Sequence, residues 1–175
     1  MPSDAQIGAH TKYCLQDICL GSTLDEVQML GRLTLFQSTP LNEDWSEQFR
    51  CDPKRGALAN FVSRSGDQFV LAFRDYPNGS TVRQRYRVAS VAINFVAGES
   101  DFEELRSKIV KRYDMHEFDD GHFARVGAGV WRAPSIGKHQ PKLTSFYALP
   151  PKSSMLNLML LNDDECPRRA RVPNL

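Results

Sequence analysis

Runs of apolar residues with strand character dominate this chain, and only two stretches carry clear helical spacing. Gln68 to Tyr76 and Arg83 to Val96 are rich in Val, Phe, Tyr and Ile and are separated by Pro77-Asn78-Gly79-Ser80, which predicts a β-hairpin. Residues 12–20 predict a shorter hairpin, after which Gly21 permits a sharp turn. Leu24, Val27 and Leu30 then fall on one helical face before Gly31. Leu33 to Phe36 predicts a strand. Between Ser38 and Ser65, Trp45 and Phe49 favour a helical turn, but Pro40, Pro53 and Gly56 break continuity and predict a long, partly ordered connection. In the second helix Phe102, Leu105, Ile109 and Tyr113 make an apolar stripe. Glu103, Glu104, Arg106, Lys108, Lys111 and Arg112 stay in water, acids preceding bases as the helix dipole prefers. His122 to Val126, Gly129 to Arg132, Leu143 to Leu149 and Met155 to Leu161 follow as strands, divided by turn-formers around Pro134, Gly137, Pro141 and Pro150-Pro151. Residues 167–175 read as a loose basic tail.

The two helix starts share a pattern. Thr23-Leu24-Asp25-Glu26-Val27 and Asp101-Phe102-Glu103-Glu104-Leu105 both run cap, apolar, acid, acid, apolar. A Thr or Asp side chain accepts from free N–H groups of the first turn, and the acids sit at its positive end. Each start precedes a long strand-like stretch, which predicts two diverged α-then-β units, about 12–97 and 98–166, within one domain over 1–175. The expected fold class is therefore α+β: two similar α-then-β units with helices packed on one face of an antiparallel sheet.

Composition narrows the functional classes. The chain has 175 residues, of which 41% are hydrophobic and 25% charged, ordinary values for a folded globular protein. No run approaches the roughly 18 apolar residues of a membrane-spanning helix. A net charge of +1 argues against generic attraction to nucleic acid. The charge is uneven, however: acids outnumber bases up to residue 50, and Lys54, Arg55, Arg64, Arg74, Arg83, Arg85 and Arg87 follow. Arg83, Arg85 and Arg87 have the spacing of one strand face. They read either as a solvated face whose Arg stems cover apolar neighbours or as a contact for an anionic or acidic partner.

Four cysteines bear on the compartment. A turn at Leu15-Gln16-Asp17-Ile18 would bring Cys14 and Cys19 within bridging distance, and Cys51 with Cys166 would tie the tail to the first half. Either bridge implies an oxidising compartment; the alternative is four buried thiols in a cytosolic protein. The amino terminus shows no basic segment followed by an apolar one. The preferred reading is a mature form of a periplasmic protein from which a signal peptide has been removed.

The segment Ile18-Cys19-Leu20-Gly21-Ser22-Thr23-Leu24-Asp25-Glu26-Val27 resembles the opening motif of small bacterial envelope domains, those of the SmpA/OmlA outer-membrane lipoproteins and the beta-lactamase inhibitor protein. Lys111-Arg112-Tyr113 at a helix end, Trp131 in a strand and Leu158-Met159-Leu160-Leu161-Asn162-Asp163 as a closing strand extend the resemblance into the second half. It implies helices on one face of an antiparallel sheet and a tandem, secreted, non-enzymatic binding scaffold.

Catalytic and metal chemistry find little footing. His116-Glu117-Phe118-Asp119-Asp120-Gly121-His122 gathers imidazoles and carboxylates, yet lacks the one-turn two-His spacing of a helical zinc site, and Asp119-Asp120-Gly121 reads as a turn. Gly-x-Ser-x-Gly, a phosphate-cradling glycine loop and Cys-x-x-Cys are all missing from the sequence. Neither cofactor nor metal is expected. Trp131 and Tyr147 would match binding hot spots if they shared an open sheet face with the Arg83 to Arg87 row. The expected function is a non-enzymatic protein-binding module, an inhibitor or immunity protein that occludes a secreted enzyme or toxin with an acidic surface. The expected contacts are Arg83, Arg85, Arg87, Asp119, Asp120, Trp131 and Tyr147, including the loops at Asn78-Gly79 and Glu117 to Gly121. Alternatives are a structural accessory of envelope assembly and a hydrolase using His116 or His122.

Overall fold

The computed structural model describes residues 12–37, 56–75, 86–118, 128–135 and 139–162. Its first element is a hairpin of β1 (Cys14–Leu15) and β2 (Ile18–Cys19), in which Gln16 takes the left-handed turn conformation at φ 51°. The turn sets Cys14 opposite Cys19, and the two form a disulfide. Gly21, at φ 86°, then turns the chain. Thr23 caps helix α1 (Leu24–Leu30) with a complete capping box: its hydroxyl accepts from the Glu26 N–H, and the Glu26 carboxylate accepts from the Thr23 N–H at 2.7 Å. Gly31 ends the helix because of space, its φ of 177° being ordinary extended backbone. A Cβ there would lie 2.2 Å from the Val62 carbonyl oxygen and 2.6 Å from the Phe61 ring.

From Gly31 the chain builds an antiparallel sheet: β3 (Gly31–Gln37), β4 (Gly56–Ser63), β5 (Gln68–Asp75) and β6 (Tyr86–Phe95). Helix α2 (Glu99–Arg112) follows, then β7 (His116–Glu117), β8 (Gly129–Arg132), β9 (His139–Phe146) and β10 (Ser154–Asn162). The strand order is β3-β4-β5-β6-β10-β9-β8-β7, so the halves join where β10 pairs with β6 from Ser154↔Phe95 to Met159↔Ser90. Nearer the start of β6, residues 21–23 occupy the edge that β10 has left. The Gly21 N–H donates to the Val88 carbonyl at 2.7 Å, the Val88 N–H donates to the Ser22 carbonyl at 2.8 Å, and Thr23 bridges to Arg87.

This architecture corrects the expected fold class. The described residues are predominantly antiparallel sheet, eight strands in one and two in the hairpin, with helix confined to the short α1 and α2; they are not an α+β assembly of two helix-packed units. The β6–β10 ladder joins strands from before and after residues 97 and 98 in one sheet. Strand β4 lies in the stretch expected to be irregular. It places Ala57, Ala59 and Phe61 inside, and Ala is a weak strand signal until tertiary packing supplies the reason for it. Helix α2 begins two residues before Asp101, with Gly98 as N-cap and no side-chain cap. The strand expected at His122 to Val126 lies outside the described residues.

Alternation puts the large apolar residues of the central strands on one face. Phe69, Leu71 and Phe73 of β5, Val88 and Val91 of β6, Leu158 of β10 and Leu143 of β9 are almost fully buried there. Tyr13, Leu15, Ile18 and Leu20 of the hairpin and Leu24 and Val27 of α1 cover them. Each such side chain contributes about 1.5–3 kcal/mol on removal from water. On the opposite face a buried Ser90 hydroxyl donates to the side-chain amide oxygen of Asn157 at 2.7 Å, and Ala72 and Ala89 pack with Leu58.

Helix α2 docks on the covered face through its two ends. Phe102 stacks on Phe95 at 5.9 Å and meets Tyr147 at 5.5 Å. At the other end the Tyr113 ring lies 5.1 Å from Tyr13, while its hydroxyl donates to the Cys14 carbonyl and accepts from the Cys14 N–H, both at 2.8 Å. Tyr113→Phe keeps the ring and removes both hydrogen bonds, so it should cost about 2 kcal/mol. A urea midpoint unchanged under oxidising conditions would show that this contact contributes nothing to stability.

Candidate functional site

Because α2 lies over the sheet with its ends pinned, each of its flanks forms a cleft. On the hairpin side, Leu105 and Ile109 face Cys14, Leu15 and Gln16 across a groove of about 280 Å³ whose floor is Ile93 of β6 and Leu156 of β10. Leu156 is fully buried, whereas Leu105 is 39% exposed, although it belongs to the apolar stripe of the helix. Lys108, Arg112 and Tyr113 complete the lining.

Two tethers hold the hairpin wall. The first is the Tyr113 contact to Cys14. The second lies at the hairpin turn: the Gln16 amide donates to the Asp67 carboxylate at 3.0 Å, and the Ser65 hydroxyl donates to the same oxygen at 2.6 Å. These bonds, from Ser65 and then from Gln16, hold the Asp67 carboxyl below its usual range. The disulfide closes the hairpin between its tethers.

Lys108 and Arg112 supply the cations of the groove lining. Lys108 pairs with Glu104 one turn earlier at 2.6 Å with both side chains largely exposed, and its hydrogen bond, then its charge, holds the Glu104 carboxyl below the usual range. The Arg112 guanidinium lies over the Tyr113 ring at 5.5 Å, and the Lys12 ammonium lies over the Tyr13 ring at 4.9 Å.

The other flank of α2 borders a polar cleft of about 540 Å³. Arg106 spans it, paired with Glu103 and laid over the Trp131 ring at 4.7 Å. Glu117, Lys111 and Asp114 ring the opening. Trp131 folds back across Gly129, where a Cβ would come within 2.3 Å of the indole. Glycine is therefore required beneath this ring by contact.

The sequence-derived contact set is not assembled on one open face by its described members. Arg87 is half-buried at the junction of β6 with residues 21–23, and its guanidinium donates to the Gly21 carbonyl at 3.2 Å. Trp131 is 8% exposed beneath Arg106, and Tyr147 is half-buried against Phe102. Arg83, Arg85, Asp119, Asp120, Cys51, Cys166, His122 and the turn at Asn78-Gly79 lie outside the described residues. His116 is exposed on β7, 3.9 Å from Asp114. Among the described residues no group of three or more His, Cys, Asp or Glu is placed to hold a metal ion.

Sequence reasoning missed the groove itself. Ile93 and Leu156 become neighbours only through the β6–β10 register, and Leu105 reads as core until its opposing wall is known. The available signal was the placement of Lys108 and Arg112 one turn and two turns beyond Glu104, on the Leu105 side of the helix. No family model, curated protein or solved structure matches this chain.

Two measurements test the construction of the site. Gly129→Ala should destabilise the fold by about 1–3 kcal/mol through overpacking against Trp131. A wild-type denaturation midpoint would show that the indole moves aside freely. Asp67→Asn should lower the thermal midpoint at neutral pH by removing the charged acceptor for Gln16. Since the folded-state pKa of Asp67 is depressed, its contribution is present above the unfolded value of about 3.9 and lost as pH falls through the folded one. The gap between variant and wild type should therefore stay constant from neutral pH to about 5 and close below about 4. A gap independent of pH would rule out the charge as its source.

Proposed function

We propose that this protein is a non-enzymatic protein-binding module of the bacterial envelope, an inhibitor or immunity protein that occludes a secreted enzyme or toxin. The observation that carries the reading is the groove between the disulfide hairpin and α2. It has an apolar floor, a partly exposed Leu105 on its lip and walls fixed by covalent and hydrogen-bonded tethers. An apolar slot of fixed shape suits a protruding side chain of a partner, because little order has to be imposed on binding. The Cys14–Cys19 bridge supports an oxidising location, and no helix among the described residues is long and apolar enough to cross a membrane. The resemblance of residues 18–27 and 111–113 to the SmpA/OmlA and beta-lactamase inhibitor domains supports the periplasm as that location.

In this reading the contact surface is the hairpin side of α2, and the cations along it favour a partner with an acidic surface. The test is capture from the envelope and secreted fractions of the protein's own organism by the full, oxidised chain. One enzyme or toxin should be retained in stoichiometric amount and lose activity on mixing. Leu105→Glu should weaken that complex by at least about tenfold. Asn94→Lys, at an exposed position of β6 that points away from the groove floor, should leave it unchanged. Equal retention by Leu105→Glu would remove the groove from the function.

A further inference from the structure

We infer that the groove accepts one large apolar side chain from an extended acidic segment of the partner, a reading that rests on the protein-binding function proposed above. At about 280 Å³ the groove lies at the small end of the range of ligand sites and has room for one large side chain. It holds a single anchor while the rest of the segment runs along the open lip formed by Leu105.

Among the described residues that line the groove, two are cationic and none is acidic. The Arg112 guanidinium lies over the Tyr113 ring at 5.5 Å, and both residues line the groove. One lining cation, Arg112, is thus held beside an aromatic face at one end of the apolar slot, an arrangement that restrains its position without neutralising it. Lys108 stands at the lip with Glu104 as its partner, and their side chains are 69% and 64% exposed. An exposed pair of this kind is weak, so a carboxylate from the partner can take Lys108 at little cost. An acidic residue on one side of the anchor meets Arg112, and one on the other side meets Lys108. The anchor supplies contact area on Ile93, Leu156 and Leu105, and the acids supply orientation and rate of encounter.

The test is a random decapeptide display library panned on the full chain with its disulfide intact, followed by binding of the enriched peptides in solution. Peptides with Leu, Ile, Phe or Trp within two positions of Asp or Glu should be enriched. Their affinity should fall about tenfold or more in Leu105→Glu and several-fold in Arg112→Glu. It should also weaken as salt rises from about 50 mM to about 500 mM. Asn94→Lys should bind as wild type does. Leu105 and Arg112 are exposed, and matching thermal midpoints would establish that each variant is folded. Leu105-dependent peptides without acids, or with bases in their place, would overturn the acidic partner and leave protein binding at the groove standing. A library that yields no Leu105-dependent peptide would overturn the inference, with the capture experiment deciding separately whether the module binds a protein. Saturable, Leu105-dependent binding of decanoate without any enriched peptide would also overturn it and assign the groove to an anionic amphiphile.

Discussion

The contact on which the candidate site depends is the pair of hydrogen bonds between the Tyr113 hydroxyl and the backbone of Cys14, groups 99 residues apart in sequence. A two-plus-two-residue hairpin has almost no core of its own and cannot hold its shape unaided. The Cys14–Cys19 bridge fixes its internal geometry, and Tyr113 ties it by hydrogen bonds to the end of α2. Since the hydroxyl serves both the N–H and the carbonyl of one residue, it satisfies two polar groups that the docked helix would otherwise strand. The Gln16–Asp67 bond then restrains the turn of the hairpin against the loop between β4 and β5.

A second constraint comes from the sheet. β6 is longer than its ladder with β10, and residues 21–23 fill the remainder of that edge. The chain leaving the hairpin is therefore hydrogen-bonded into the sheet before it caps α1. The hairpin, α1 and α2 all lie over one face, where the large aliphatic and aromatic residues of both halves meet. Arg87 belongs to this junction. Its guanidinium satisfies the Gly21 carbonyl at a turn, so one member of the basic row is bound to the fold before any partner arrives.

Legibility varied with the range of the interactions that decide each element. The capping box at Thr23, the end of α1 at Gly31 and the strands β5 and β6 were readable because neighbouring residues determine them. The pairing of Cys14 with Cys19 was readable because one short turn sets it. Strand β4 was not, since Ala57 and Ala59 acquire their role from the residues they face in β5. The start of α2 at Glu99 was misplaced because Asp101 looks like a cap in isolation, while the helix uses it within the first turn, where its charge is favourable. Trp131 looked like a contact residue and is core, held between Gly129 and Arg106.

The sequence by itself determined a sheet-rich chain with two helices, the capped start of the first, one short bridged hairpin and a second helix whose cations follow its acids. Each of these depends on side chains within a few residues of one another, so periodicity and capping chemistry suffice to read them. Only the tertiary structure decided that the strands form one continuous sheet, that Leu105 stays exposed, and that Ile93, Leu156 and the disulfide hairpin make a groove with it. The physical reason is register. The β6–β10 ladder and the Tyr113–Cys14 contact join residues far apart along the chain, and such pairings follow from how whole faces pack, which no local window of sequence contains.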